Sequence, residues 1–92
     1  MRIEVTQDDI THGTKCECTH CPITLAIARE LNVTIPSPDN DDYYIYVYNT
    51  FVRIGEERRI LPLAATEFIR RFDKGMTVHP FEFELDYIPW RY

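Results

Sequence analysis

Glycine is scarce in this chain, three in 92 residues. That scarcity excludes a glycine-rich cradle for a nucleotide, because such loops need several glycines to bring backbone N–H groups onto phosphate. Long apolar runs are missing too. None reaches the roughly 18 residues that span a bilayer, so no membrane partner is expected. The opening residues Met1-Arg2-Ile3-Glu4-Val5 lack a charged segment followed by an apolar stretch, so no secretory signal is expected and a reducing cytoplasm is the expected compartment. Cysteine is limited to three residues, an odd count that fits that compartment better than a disulfide framework. A nucleophile elbow, a phosphate loop and a His-Glu-x-x-His pair are all absent, and the chain is expected not to be an enzyme.

What is present suits a small globular domain. Hydrophobic residues make up 45% of the chain, an ordinary fraction that argues against disorder, and residues 1–92 read as one domain. Formal net charge is −5 and is uneven. Residues 1–50 hold eight acidic and three basic side chains, whereas residues 51–92 hold seven of each. An acidic surface disfavours direct nucleic-acid binding, which needs a surplus of Lys and Arg, and permits docking on a basic protein surface.

Patterning supplies the elements. Arg2 to Val5 alternates and predicts a first strand. Thr6 with Asp8 and Asp9 predicts a capped helical turn that stops at Gly13. Pro22 suits a first helical position, and Ile23, Leu25, Ala26, Ile27, Ala28 and Leu31 make the helix that follows apolar over much of its circumference, hence deeply buried. Asn32 suits a left-handed stop. The 36–42 segment reads as a loop. Its acids do not form an EF-hand, because counting from Asp39 puts Tyr44 where glycine is needed and Thr50 where glutamate is needed. Tyr44–Tyr48 and Phe51–Ile54 predict two strands around Asn49-Thr50, Gly55-Glu56-Glu57 a turn, and Arg58–Leu61 a returning strand. Pro62 opens a second helix that reaches Lys74, with Ala65, Phe68, Ile69 and Phe72 on its apolar face and Gly75 as its stop. Residues 81–87 alternate without a break and predict the last strand. The fold expected is α+β: a mostly antiparallel sheet of about four to five strands, with two main helices packed on one face. Phe68, Ile69, Phe72, Phe81, Phe83 and Leu85 should form one cluster.

Cys16, Cys18 and Cys21 form the single cluster able to carry chemistry, and four readings stay open. The first is a structural zinc site. Cys18 and Cys21 have knuckle spacing, Cys16 would be a third ligand, and His12, His20 or His79 a fourth, with His12 chosen; the usual second half is missing. The second is a thiol–disulfide exchanger, opposed by Pro22, which starts the helix after the second cysteine. The third is a regulatory disulfide. The fourth, which is preferred, treats the cysteines as small reduced residues, with Cys21 packed under the helix and no cofactor bound.

Several short motifs run in a fixed order: Ile3-Glu4-Val5-Thr6-Gln7-Asp8-Asp9-Ile10, Gly13, Cys18-x-x-Cys21-Pro22-Ile23-x-Leu25-Ala26, Leu61-Pro62, Phe68-Ile69-x-x-Phe72-Asp73-x-Gly75 and Pro80-Phe81-x-Phe83. Together they resemble a group of small accessory proteins of bacteriophages, prophages and related mobile elements. The group carries no activity that transfers residue by residue. The resemblance implies a bacterial host cytoplasm and action by stoichiometric binding to a host protein, defence nucleases included.

Two features of the residues themselves favour binding. Tyr44, Tyr46 and Tyr48 share one strand face while Ile45 and Val47 take the other, and tyrosine is enriched at interface hot spots. The alternative is that these rings pack in the core or lie flat on the sheet. The C-terminal residues around Trp90 are aromatic, so they either fold back or dock on a partner. The expected function is therefore a non-enzymatic interaction protein that modulates a host protein, an anti-CRISPR-type inhibitor being its sharpest form. Asp39, Asp41, Asp42, Tyr44, Tyr46, Tyr48 and Trp90 are expected to meet a basic surface. The alternative is a small zinc-binding or thiol-redox protein using Cys16, Cys18 and Cys21.

Overall fold

A computed structural model describes residues 1–32 and 45–87. Within them the chain runs β1 (Arg2–Val5), α1 (Gln7–His12), α2 (Pro22–Glu30), β2 (Ile45–Val47), β3 (Phe51–Ile54), β4 (Glu57–Ile60), α3 (Leu63–Asp73) and β5 (Phe81–Glu84). The fold is α+β. It is built on two antiparallel sheets rather than the single sheet expected: β1 pairs with β5, and β2, β3 and β4 form a meander in that order. The physical reason lies in α2. Pro22, Ile23, Thr24, Ala26, Ile27 and Ala28 are all buried, so this helix needs cover on more than one side. It packs against β1 of one sheet and β2 of the other, as well as against α1. A helix with one apolar stripe would need only one sheet to cover it.

The β1–β5 ladder sets Ile3 opposite Phe83 and Val5 opposite Phe81. These face inward, while Arg2, Glu4, Glu82 and Glu84 are exposed. β5 is shorter than the predicted strand, yet the alternation continues, with Leu85 and Tyr87 buried. The pairing is extended by Leu85 N–H, which donates to the Met1 carbonyl (2.8 Å). Phe68, Ile69, Phe72, Phe83 and Leu85 fall in one core cluster with Phe81 packed against it, as expected. Ring centroids of Phe68 and Phe81 lie 4.8 Å apart.

The helix ends follow local chemistry. Thr6 caps α1: its hydroxyl accepts from Asp9 N–H, and the Asp9 carboxylate accepts from Thr6 N–H, a reciprocal capping box. α3 ends in a Schellman arrangement, with Gly75 at φ +76°, Gly75 N–H on the Phe72 carbonyl and Met76 N–H on the Arg71 carbonyl. Gly13 is required for a different reason. Its φ is −72°, open to any residue, but a Cβ there would stand 2.6 Å from Pro22 Cδ. Glycine lets the end of α1 press onto the start of α2.

The same two helices are joined by charge. Arg29 on α2 forks onto Asp9 on α1, Nη1 to Oδ1 at 2.6 Å and Nη2 to Oδ2 at 2.9 Å, and also donates to the Glu4 carbonyl. Asp9 is only 3% exposed. Burial alone would push its carboxyl up, but the Arg29 hydrogen bond, the Thr6 amide, the Arg29 charge and the Thr6 hydroxyl together hold it below its ordinary value of 3.8. The stabilisation this gives is complete above 3.8 and is lost as pH falls through the lower folded value. Asp9→Asn is therefore expected to cost about 1–3 kcal/mol at neutral pH, the range of a hydrogen bond to a charged group, with Arg29 being half exposed. Urea titrations of both proteins should show that difference shrinking as pH falls below the ordinary carboxyl value. A difference that stays constant with pH would show that the carboxylate charge is not what joins the helices.

Candidate functional site

Two surfaces bear on function, and they share an edge. The first is the outward face of the β2–β3–β4 sheet. The registers Tyr46↔Arg53↔Arg58 and Phe51↔Ile60, with Tyr48 N–H on the Phe51 carbonyl at 2.8 Å, lay two cross-strand rows side by side. One row is Tyr48, Phe51 and Ile60; the other is Tyr46, Arg53 and Arg58. Ile45, Val47, Val52 and Ile54 alternate with them and are buried. Tyr46 and Tyr48 thus share the outer face of the sheet. Tyr48 stacks on Phe51 with centroids 4.6 Å apart and on Tyr46 at 6.3 Å. The Arg53 guanidinium lies 5.8 Å from the Tyr46 ring centre and that of Arg58 lies 5.6 Å from Phe51, both within cation–π range. Tyr48 is 37% exposed and Ile60 83%.

Sequence reasoning named Tyr46 and Tyr48 but not Phe51, Arg53, Arg58 and Ile60, which share their face. The signal was turn length. The β3–β4 turn has two central residues, Gly55 and Glu56, not the three expected, and Gly55 sits at φ +60°, the position a II′ hairpin reserves for glycine. β4 is therefore Glu57–Ile60 rather than Arg58–Leu61. A two-residue turn there sets Arg53 opposite Arg58 and Phe51 opposite Ile60. Asp39, Asp41, Asp42, Tyr44 and Trp90 lie outside the described residues.

The second surface is the cysteine loop. Cys16 is exposed, Cys18 half-buried and Cys21 buried. With Tyr48, Phe51 and Asp73 they line a pocket of about 490 Å³. The loop is knitted to three elements. The Cys18 carbonyl accepts from Val47 N–H of β2 and from the Thr24 hydroxyl of α2, each at 2.8 Å. Cys16, at φ +59°, donates its N–H to the Asp73 carboxylate at the end of α3 (2.9 Å). Cys21 caps α2, and its Sγ is 3.3 Å from Thr24 Oγ1. Burial pushes the Cys21 thiol up, against the hydrogen bonds from Thr24 and Ile23 that favour its thiolate. A helix N-terminus ordinarily makes a cysteine more acidic; here desolvation outweighs it, and Cys21 stays a thiol.

The remaining expected ligand, His12, is exposed at the end of α1 with Nδ1 2.9 Å from the Asp8 carbonyl. His20 Nδ1 lies 2.9 Å from Thr19 Oγ1. Among the described residues no hydrogen bond joins a cysteine to a histidine, and no three Cys, His, Asp or Glu side chains converge on a point that would hold a metal ion. Nor is any described helix long and apolar enough to cross a membrane. Comparison with protein-family models, with curated proteins and with solved structures finds no match to the chain.

A closed zinc site needs four ligands, and the described residues bring no three candidate side chains together. Protein purified under reducing conditions is expected to carry well under one zinc per chain by plasma mass spectrometry. A full equivalent of zinc, lost on Cys18→Ser, would contradict this and make the cysteines a metal site.

Proposed function

We propose that this chain is a non-enzymatic interaction protein that modulates a host protein by occupying part of its surface. The observation that carries the reading is the pair of cross-strand rows on the outer sheet face: rings, guanidinium groups and an almost fully exposed isoleucine on one rigid meander. Tyrosine and arginine are the residue types over-represented at interface hot spots. Rings already stacked on one another lose little side-chain entropy when a partner covers them. The resemblance of the short motifs to mobile-element accessory proteins supplies a setting, a bacterial host cytoplasm, and within it an anti-defence role such as CRISPR inhibition is the sharpest form of the proposal.

The acidic segment Asp39, Asp41 and Asp42 would steer the chain onto a basic surface. The sheet face makes the opposite demand, because Arg53 and Arg58 call for acidic groups on whatever covers them. The zinc-binding or thiol-redox alternative draws support from the pocket that Cys16, Cys18 and Cys21 share, and is weakened by the burial of Cys21.

The test begins with affinity capture from a bacterial host and identification of the partner by mass spectrometry. Surface plasmon resonance with that partner then measures Tyr48→Ala and Tyr46→Ala. Each should speed dissociation by a hot-spot cost of roughly 2 kcal/mol, with association little changed. Folded variants with unaltered dissociation would move the interface off this face.

A further inference from the structure

The meander has two edges, and they are not equivalent. In an antiparallel ladder each residue turns both backbone groups either toward its neighbour strand or away from it. On β2, Tyr46 and Tyr48 face β3, so Ile45 and Val47 face outward. The outward amide of Val47 is taken by the Cys18 carbonyl at 2.8 Å. The cysteine loop therefore covers that edge at Val47. On β4, Leu61 N–H donates to the Thr50 carbonyl, which fixes Glu57, Arg59 and Leu61 as the residues bonded to β3. Arg58 and Ile60 point their amides outward. Among the described residues no strand pairs with this side of β4.

The chemistry at the open edge is specific. A hollow of about 340 Å³ lies there, lined by Thr50, Phe51, Arg58, Arg59 and Ile60. Ile60 offers an apolar anchor. Neither Arg58 nor Arg53 forms an ion pair among the described residues. Arg59 pairs loosely with Glu57 at 3.6 Å, and its Nη1 donates to the Arg58 carbonyl at 2.8 Å. That holds a third guanidinium beside the edge. A second copy of this chain is a poor occupant, because edge-to-edge pairing would bring arginines against arginines, and like charges directly opposite are destabilising.

We propose that β4 takes an extended acidic segment of a partner protein as a fourth strand. The outward amides of Arg58 and Ile60 bond its backbone, a carboxylate lies beside Arg58, and an apolar residue two positions on lies beside Ile60. This rests on the interaction reading above and names the partner's chemistry. It places the docking edge on the opposite side of the sheet from the tyrosine strand.

The probe is a capped octapeptide, Glu-Thr-Val-Thr-Glu-Thr-Val-Thr, titrated into the full chain labelled with ¹⁵N, beside a counterpart with Lys for Glu. The acidic peptide should shift the Arg58 and Ile60 amides first and bind at least roughly tenfold tighter than the basic one, the equivalent of one well-placed charge pair. Arg58→Glu, an exposed and fold-neutral change, should invert that preference. Ile60→Pro should abolish binding of either peptide while leaving the sheet intact, because it removes only an outward amide.

Equal binding of both peptides, or shifts confined to Tyr46, Tyr48 and Phe51, would overturn the edge assignment while leaving the interaction reading standing. If no peptide binds, the edge assignment falls; if Tyr46→Ala and Tyr48→Ala are also silent against the captured partner, both readings fall. Three other results would also overturn it: a mass that doubles with concentration, making a second copy the occupant; tighter binding of oligothymidylate at the same amides; or binding that emerges only when Asp39, Asp41 and Asp42 are changed to Asn, making the chain's own acidic segment the occupant.

Discussion

The carbonyl oxygen of Cys18 accepts two hydrogen bonds, from Val47 N–H and from the Thr24 hydroxyl, and the behaviour of the outer sheet depends on it. Thr24 is buried in α2, so leaving its hydroxyl without a partner would cost about 1–3 kcal/mol. Val47 lies on the outer rim of β2. One oxygen therefore ties the cysteine loop, the central helix and the meander together. The Asp73 carboxylate on the Cys16 amide adds α3 to the same loop. The cysteine segment works as a clasp, and its backbone does more for the fold than its thiols.

Closing one edge of a three-stranded sheet leaves it with a direction. Were both edges open, the sheet would be a template for indiscriminate pairing, which natural proteins blunt with charge, bulges or cover. Here one edge is held at Val47 by a loop and the other is lined with arginine. Charge of one sign at an edge repels copies of itself and admits a segment of the opposite sign. The stacked rings of Tyr46, Tyr48 and Phe51 stiffen the face next to it, so little ordering would remain to be done by the partner proposed for this face.

Much of this was legible in the residues. The threonine cap at Thr6, the proline start of α2, the amphipathic face of α3 and the inward alternation of residues 81–87 each follow from short-range rules, and each is found. Asn32 at φ +56° is the left-handed stop its type suggests. Long-range relations were harder. The fork of Arg29 onto Asp9 joins residues twenty apart, and no local pattern links them. The separation into two sheets was encoded in α2, whose apolar residues circle the helix; reading that as deep burial was right, but it did not specify a sheet on either side. The arginine–aromatic rows were hidden by one residue, the length of the turn at Gly55, because a slip of one exchanges the faces of a strand. The acids at 39–42, Tyr44 and Trp90 lie outside the described residues and add nothing to the geometry of the site.

One edge of the meander is held at Val47 by the Cys18 carbonyl, while at the other no described residue bonds the amides of Arg58 and Ile60. Amide hydrogen exchange on the full chain, read residue by residue by NMR, tests it most directly. Val47 should be protected although no strand of the described residues lies beyond it, and Ile60 should exchange far faster than its neighbour Leu61, which is bonded to Thr50. A Val47 amide that exchanges as fast as that of Ile60, or an Ile60 amide as protected as that of Leu61, would contradict the account.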